Sequence, residues 1–203
     1  MGQMRIIAGE ARGTKLEIPE ENRAGELRPT LERVKENFFN AIHFEIEGAK
    51  VLDLFAGSGQ LGLEALSRGA RECVFVDNDA ACAEAVRRNA QKAKLYGRCN
   101  IIRSDYSEYL SGVRKRRGFD AEFEKFGAVF LDPPYNDSAR LIKEVVKRLL
   151  KHDFVADGGI IVCETEGAGG LELDEESAKR ISNTRVYKYG RVLITVLNIN
   201  TNA

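Results

Sequence analysis

The fold of this chain is decided by residues 51–62, which read VLDLFAGSGQLG. The first half is a short apolar run typical of a buried β-strand, and the second half opens a helical pattern after a glycine-rich turn. Gly57, Gly59 and Gly62 satisfy the spacing GxGxxG, which is found in dinucleotide sites, so a nicotinamide-dependent oxidoreductase has to be considered. A strand that enters a helix through such a turn predicts the first β–α unit of a parallel sheet.

Short apolar runs alternate with longer amphipathic segments from Lys50 onward. This order is typical of β–α–β units. Two β-rich runs separated by Gly190 predict a hairpin that closes the sheet. We therefore expect an α/β, Rossmann-like fold with a seven-stranded, mostly parallel sheet and a C-terminal hairpin. The predicted strands are 51–55, 73–77, 100–103, 128–131, 160–164, 181–189 and 191–199, and the predicted helices begin near Gln60, Asp79, Asp105 and Asp137.

The first 47 residues have a different pattern. Residues 5–8 and 14–18 predict a small β-hairpin around Gly9 and Gly13. After Pro29, Thr30 is expected to cap an amphipathic helix. We predict two domains: residues 1–47 form the hairpin and a linker helix, and residues 48–199 form the sheet domain.

Composition narrows the class of protein. The 203 residues include 31 Lys+Arg and 31 Asp+Glu, so the formal net charge is zero. This balance argues against a surface that binds nucleic acid everywhere, although residues 114–117 (Arg-Lys-Arg-Arg) form a basic run, which we expect in a solvated loop. Hydrophobic residues make up 43% of the chain, which suffices for a core, and no apolar run is long enough to predict a membrane span. Four widely spaced cysteines predict reduced thiols and no metal site in a cytoplasmic protein.

Aspartates follow the first three predicted strands. A carboxylate at Asp53, beside the glycine turn, would repel a pyrophosphate and attract a cationic ligand, which favours S-adenosylmethionine over a nicotinamide. Asp77 is placed to accept ribose hydroxyl groups, and Asp105 could accept the adenine amino group. Either of these two residues alone also fits a helix N-cap. The predicted cofactor-binding residues are Asp53, Phe55, Gly57, Ser58, Gly59, Asp77, Asn78, Ser104, Asp105 and Tyr106.

The tetrapeptide Asp132-Pro133-Pro134-Tyr135 directly follows the fourth predicted strand. An exocyclic base amine is a poor nucleophile because its lone pair is delocalised. Hydrogen bonds to the Asp132 carboxylate and the Pro133 carbonyl would free that lone pair for attack on a methyl group. Tyr135 could stack on an unpaired base. These four residues are the predicted catalytic centre, although Pro-Pro also simply ends strands.

The chain resembles the RsmD family of bacterial 16S rRNA guanine-N2 methyltransferases over nearly its whole length. The resemblance rests on residues 4–9 (MRIIAG), 28–30 (RPT), 33–36 (RVKE) and 57–70 (GSGQLGLEALSRGA), and on the Asp-Pro-Pro-Tyr motif. Lys35 stands where the family more often has Arg, and Asp77 stands where Glu is common. The resemblance implies a class I methyltransferase that uses S-adenosylmethionine and no metal.

The substrate implied by the resemblance is one guanine of 16S rRNA, in free RNA or in a small-subunit particle, and the expected state is a monomer. Arg28 and Thr30 would border the target pocket, and further candidate RNA contacts are Arg5, Arg12, Arg114, Lys115, Arg116 and Arg117. The closest rival is an adenine-N6 or cytosine-N4 methyltransferase, because the same motif suits any aromatic amine. A nicotinamide oxidoreductase and a catalytically idle RNA-binding protein remain as alternatives.

Overall fold

A computed structural model describes residues 4–19, 29–117, 124–134, 138–166 and 171–200, with backbone alone at 29–34, 113–117 and 138. The helices are α1 (Pro29–Ala41), α2 (His43–Ile46), α3 (Gln60–Ser67), α4 (Ala80–Lys92), α5 (Tyr106–Arg117), α6 (Ser138–Lys151) and α7 (Glu175–Lys179). The strands are β1 (Lys50–Asp53), β2 (Glu72–Asp77), β3 (Cys99–Arg103), β4 (Phe126–Leu131), β5 (Val155–Glu166), β6 (Ile181–Tyr189) and β7 (Val192–Ile199).

The strands form one seven-stranded sheet in the order β3-β2-β1-β4-β5-β7-β6. The first five strands are parallel to one another, and β7 pairs antiparallel with both β5 and β6. This confirms the predicted α/β architecture and its C-terminal hairpin, in which Gly190 has a φ of 64°. Strand order reverses between β1 and β4. In open α/β sheets such a reversal leaves a crevice at the carboxyl ends of the two strands, where ligands bind.

Helices cover both faces of the sheet. On one face, Phe38 and Phe39 of α1 pack against Phe130 of β4, with ring centroids 6.5 Å and 5.7 Å from it. On the other face, α5 and α6 contribute Leu110 and Leu149 to a second buried core. The parallel strands β1, β2 and β4 are therefore buried on both sides, as their apolar runs predicted, whereas the edge strand β3 is partly exposed. No helix of the described segments is both long and apolar enough to cross a bilayer.

The N-terminal hairpin is smaller than predicted. It contains a single antiparallel bridge, between Arg5 and Lys15, instead of two paired strands. Backbone hydrogen bonds also join its two arms, from Ile6 to Thr14, from Gly13 to Ile6 and from Leu16 to Met4. The hairpin is docked on α3, because the N–H groups of Ile7 and Ala8 donate to the Glu64 carboxylate at 2.7 Å and 3.1 Å. Gly9, with a φ of 81°, lies so close to Ser67 that a side chain would overlap that residue's carbonyl. Hairpin and sheet thus share a core, and the division after residue 47 stays a prediction.

Two local predictions are corrected. Helix α1 begins at Pro29, so Thr30 lies within its first turn and is not its cap. Proline suits the first helical position because a backbone N–H there would have no partner within the helix, so its absence costs nothing. The basic run 114–117, expected in a loop, forms the end of helix α5. The four cysteines are free, and Cys99 is less buried than the other three.

Candidate active site

The glycine turn between β1 and α3 is held by two carboxylates. Asp53, which is 1% exposed, accepts the Gly62 N–H through Oδ2 at 2.9 Å. Asp77 at the end of β2 accepts the Gly57 N–H through its own Oδ2 at 2.8 Å. Gly57 and Gly59 have φ values of 52° and 79°, a region that favours glycine. The backbone of the turn is therefore fixed before any ligand binds.

Gly62 explains how Asp53 reaches the helix. A Cβ at this position would lie 2.3 Å from the Phe75 ring and 2.7 Å from Cys73 Sγ, so only glycine lets α3 approach β2 this closely. The buried position raises the pKa of Asp53 to about 7, because the apolar surroundings disfavour the charged form. The Asp77 carboxylate adds to this effect, and the Gly62 N–H and Lys35 oppose it.

The predicted cofactor residues lie together along the carboxyl ends of β1, β2 and β3. Asp77 also accepts the Asp79 N–H at 2.9 Å. Asp105 is exposed and its Oδ1 accepts the Ser107 N–H at 2.8 Å, so it caps α5. The Phe55 and Tyr106 rings lie 5.6 Å apart between these aspartates. The remaining predicted residues at this edge are Ser58, which is buried, Ser104, which is half-buried, and Asn78, which is exposed.

The Asp-Pro-Pro-Tyr motif begins at the same edge. Phe130 of β4 is paired with Asp53 of β1, and Asp132 follows two residues later. Asp53 and Asp132 therefore lie at the same edge of the sheet, which is formed by the carboxyl ends of the parallel strands and is called the rim below. A small ligand shared by the two residues requires this arrangement. Pro133 is buried and Pro134 is exposed. Tyr135 lies outside the described residues.

Two further charged residues join this part of the site, and sequence reasoning missed both as site residues. Lys35 of α1 donates a hydrogen bond from Nζ to Gln60 Oε1, and Glu164 lies near the end of β5, beside β4. The pKa of Glu164 is raised to about 8, first by burial and then by the Asp132 charge, while Lys35 opposes the shift. Burial likewise raises the pKa of Asp132 to about 6, with Lys35 opposing and Asp53 reinforcing.

The pKa of Lys35 is lowered by its burial, while Glu164, Asp132, Glu64 and Asp53 counteract that shift. A signal for Glu164 was present in the sequence, since it also lies at the carboxyl end of a predicted strand. The rule applied to the ends of the first four strands extends to the fifth. Lys35 had no such signal, because it belongs to a helix whose position over the sheet edge is a tertiary feature.

The candidate RNA contacts are only partly covered by the structure. Arg5 and Arg12 are exposed on the N-terminal hairpin. Arg28 lies outside the described residues, and the side chains of Thr30, Arg114, Lys115, Arg116 and Arg117 are likewise not described. Their part in substrate binding stays a prediction.

The chain is similar in sequence and fold to known methyltransferases. The family model "Conserved hypothetical protein 95" matches residues 4–198. Ribosomal RNA small subunit methyltransferase D of Escherichia coli K12 is 36% identical over 170 residues, covering 84% of this chain and 78% of the relative. Its Haemophilus influenzae counterpart is 37% identical over 166 residues, covering 81% and 80%. A solved Escherichia coli structure, provisionally described as a methyltransferase, has a TM-score of 0.79 at 32% identity and covers 99% of this chain and 100% of its own.

The strand order reverses between β1 and β4, the last strand of the chain, β7, is antiparallel, and aspartates lie along one rim. These features together define the class I methyltransferase fold. The family model spans most of the chain, and the relatives just named exceed 30% identity over four-fifths of it. The chain belongs to that family, the RsmD family which its N-terminal and glycine-turn motifs predicted.

Proposed function

We propose that this chain transfers a methyl group from S-adenosylmethionine to the exocyclic N2 amine of one guanine in 16S rRNA. One observation carries the proposal: Asp132 follows β4 on the rim where the β1 glycine turn lies, and it is only partly buried. Membership of a family that includes ribosomal RNA small subunit methyltransferases supports RNA as the substrate.

The residues of the rim fit a positively charged cofactor better than a pyrophosphate. Carboxylates end β1 and β2, and Asp105 follows β3; pyrophosphate would be repelled by all three. Asp53 is buried against the Gly62 N–H, so its part is to shape the turn through the backbone. Asp77 is partly exposed and keeps lone pairs for ribose hydroxyl groups, and Phe55 with Tyr106 would hold the adenine. The bound cofactor supplies an electrophilic methyl group on its sulfonium.

Asp132 and Pro133 act on the nucleophile. The carboxylate accepts one amine hydrogen and the Pro133 carbonyl accepts the other, which draws the nitrogen towards tetrahedral geometry. The nitrogen lone pair then forms the new bond to carbon, the sulfur keeps the electrons of the broken bond, and the nitrogen releases a proton to solvent. Tyr135 is proposed to stack on the flipped guanine. No step in this sequence requires a metal ion.

Recognition of the RNA is proposed to rest on small surfaces, because no second large domain is predicted. Arg5 and Arg12 on the hairpin, Arg28 and Thr30 near α1, and the basic run at the end of α5 would contact phosphates or border the pocket. Phosphate contacts position a nucleic acid without reading its sequence, so the shape of the folded RNA would supply the specificity. We propose that the chain acts as a monomer.

Nucleoside mass spectrometry tests this proposal directly. The chain is incubated with S-adenosylmethionine and, in separate reactions, unmethylated 16S rRNA, small-subunit particles and duplex DNA. We expect N2-methylguanosine in an RNA reaction, and fragment mapping then locates the nucleotide. N6-methyladenosine or N4-methylcytidine instead would establish the rival amine substrate. Calorimetric titration with S-adenosylhomocysteine and NADH, in which only the former is expected to bind, tests the oxidoreductase alternative.

A further inference from the structure

The structure places Glu164 next to Asp132. Strands β4 and β5 are parallel with Leu131 paired to Cys163, so the residues that follow each are neighbours at the rim. Phe130 and Val162, two residues earlier on each strand, belong to the core beneath α1. Because side chains alternate along a strand, the two carboxyl groups project towards that same face.

Among the described residues, none donates a hydrogen bond to the Asp132 or Glu164 carboxyl group, and the Lys35 ammonium donates to Gln60. Both groups are partly buried, and burial raises both of their pKa values, with the Asp132 charge adding to the shift of Glu164. Partial burial removes some of the water from these carboxyl groups, which costs free energy that no described donor offsets. An N–H from a ligand would relieve that cost and lower the pKa values again, as hydrogen bonds to carboxylates do.

Guanine presents the row of donors that such a pair fits. Its Watson–Crick edge carries the N1–H directly beside the N2 amine, so neighbouring acceptors meet neighbouring donors. Adenine and cytosine place an unprotonated ring nitrogen beside the amine, and a carboxylate there would repel its lone pair. A flipped base is read by hydrogen bonds along this edge.

We propose that Glu164 is a specificity-determining residue: its carboxyl group accepts the N1–H of the target guanine while Asp132 holds the N2 amine. This role rests on the proposed function. Lys35 belongs to α1, which covers the face towards which the pair projects, and its charge offsets the repulsion between two adjacent acidic groups at the rim. A purely structural Glu164, acting only as counter-charge to Lys35, would leave base discrimination unchanged.

The test uses RNA made by ligation with either guanine or 2-aminopurine at the nucleotide mapped above. 2-Aminopurine keeps the amine at C2 but has no hydrogen on N1. We expect wild type to prefer guanine by about 100-fold in kcat/KM, because a site built for a donor rejects a base without one. In Glu164→Gln the amide can donate to an unprotonated N1, so we expect this preference to fall below about 10-fold.

Glu166→Gln is the matched control, since Glu166 is an exposed carboxylate on the same strand. It should keep the wild-type preference. Equal preference in wild type and Glu164→Gln, with N2-methylguanosine formed by both, would overturn the specificity role and leave the proposed function standing. Absence of N2-methylguanosine from wild type would overturn both, before any variant is used. Should Glu164→Gln fail to fold, equal rates of wild type on the two bases would by themselves overturn the role.

Discussion

The two halves of the rim satisfy their carboxylates in opposite ways. On the cofactor half, Asp53, Asp77 and Asp105 each accept at least one backbone N–H, at 2.8–2.9 Å. On the substrate half, Asp132 and Glu164 accept none from the described residues. The first half is therefore complete as a folded structure, whereas the second half presents carboxyl groups without a donor among the described residues, open to hydrogen bonds from water or a ligand.

This difference separates two uses of the same side chain. A carboxylate that fixes a turn preorganises the cofactor site, so its removal should cost affinity and stability. A partly buried carboxylate without a protein donor is instead available to a bound base, so its removal should cost catalysis or selectivity and spare the fold.

The largest effect is expected from Asp132→Ala. Loss of the acceptor that orients the amine should lower kcat by about 10²- to 10³-fold. Affinity for S-adenosylhomocysteine should stay within about twofold, because no described contact links Asp132 to the glycine turn. Single-turnover kinetics on the mapped RNA and calorimetry measure the two quantities.

Asp132→Asn is the matched variant, since its amide oxygen can still accept one amine hydrogen. We expect its kcat to lie between those of wild type and Asp132→Ala. A kcat for Asp132→Ala within threefold of wild type would remove Asp132 from the catalytic centre. Absence of turnover in wild type itself would instead favour the idle RNA-binding alternative.

Asp77→Ala should instead lower stability and cofactor affinity. Its carboxylate holds the N–H groups of Gly57 and Asp79, so we expect unfolding free energy to fall by about 1–3 kcal/mol. Affinity for S-adenosylhomocysteine should fall about 10- to 100-fold, which corresponds to about 1.4–2.8 kcal/mol. Urea unfolding and calorimetry measure both. Asp157→Ala, at an exposed aspartate of β5, is the control, and unchanged affinity in Asp77→Ala would erase the distinction between the two halves.

Only some residues of the two halves could be predicted from the sequence. Three features of the site are local: the glycine turn, the strand-end aspartates and Asp132. Each depends only on a strand, a turn and the residue that follows, so spacing along the chain suffices to predict it. Lys35 reaches the rim only because Phe38 and Phe39 pack on Phe130 and bring α1 over the sheet. Contacts between elements distant in sequence leave no periodic signal, which is why this lysine was seen only as a departure from the family pattern.

The N-terminal hairpin shows the same limit in another form. Its residues predicted two paired strands, and the structure joins the two arms by one bridge and by backbone hydrogen bonds such as that from Ile6 to Thr14. The docking of the hairpin on α3, through the N–H groups of Ile7 and Ala8 and the buried Glu64, is a tertiary contact that strand propensity does not predict.

The smallest effect concerns pH and stability. The pKa of Glu164 rises from an ordinary 4.5 to about 8, so between these pH values the folded chain retains a proton that the unfolded chain has lost. Stability contributed by this group therefore falls as pH rises through that range. Asp132 on β4 and Glu166 on the same strand reinforce the shift, and Lys35 on α1 opposes it.

Glu164→Gln removes this dependence. We expect the variant to gain about 1–3 kcal/mol over wild type as pH rises from 5 to 9, taking about 1.4 kcal/mol per pKa unit and discounting for partial exposure. Urea unfolding at pH 5, 7 and 9 measures the gain, with Asp157→Asn, at an exposed aspartate of the same strand, as control. A difference between Glu164→Gln and wild type that stays constant across this range would show that the Glu164 carboxyl is already satisfied in the free protein. The substrate half would then be as complete as the cofactor half, and the contrast between them would lose its physical basis.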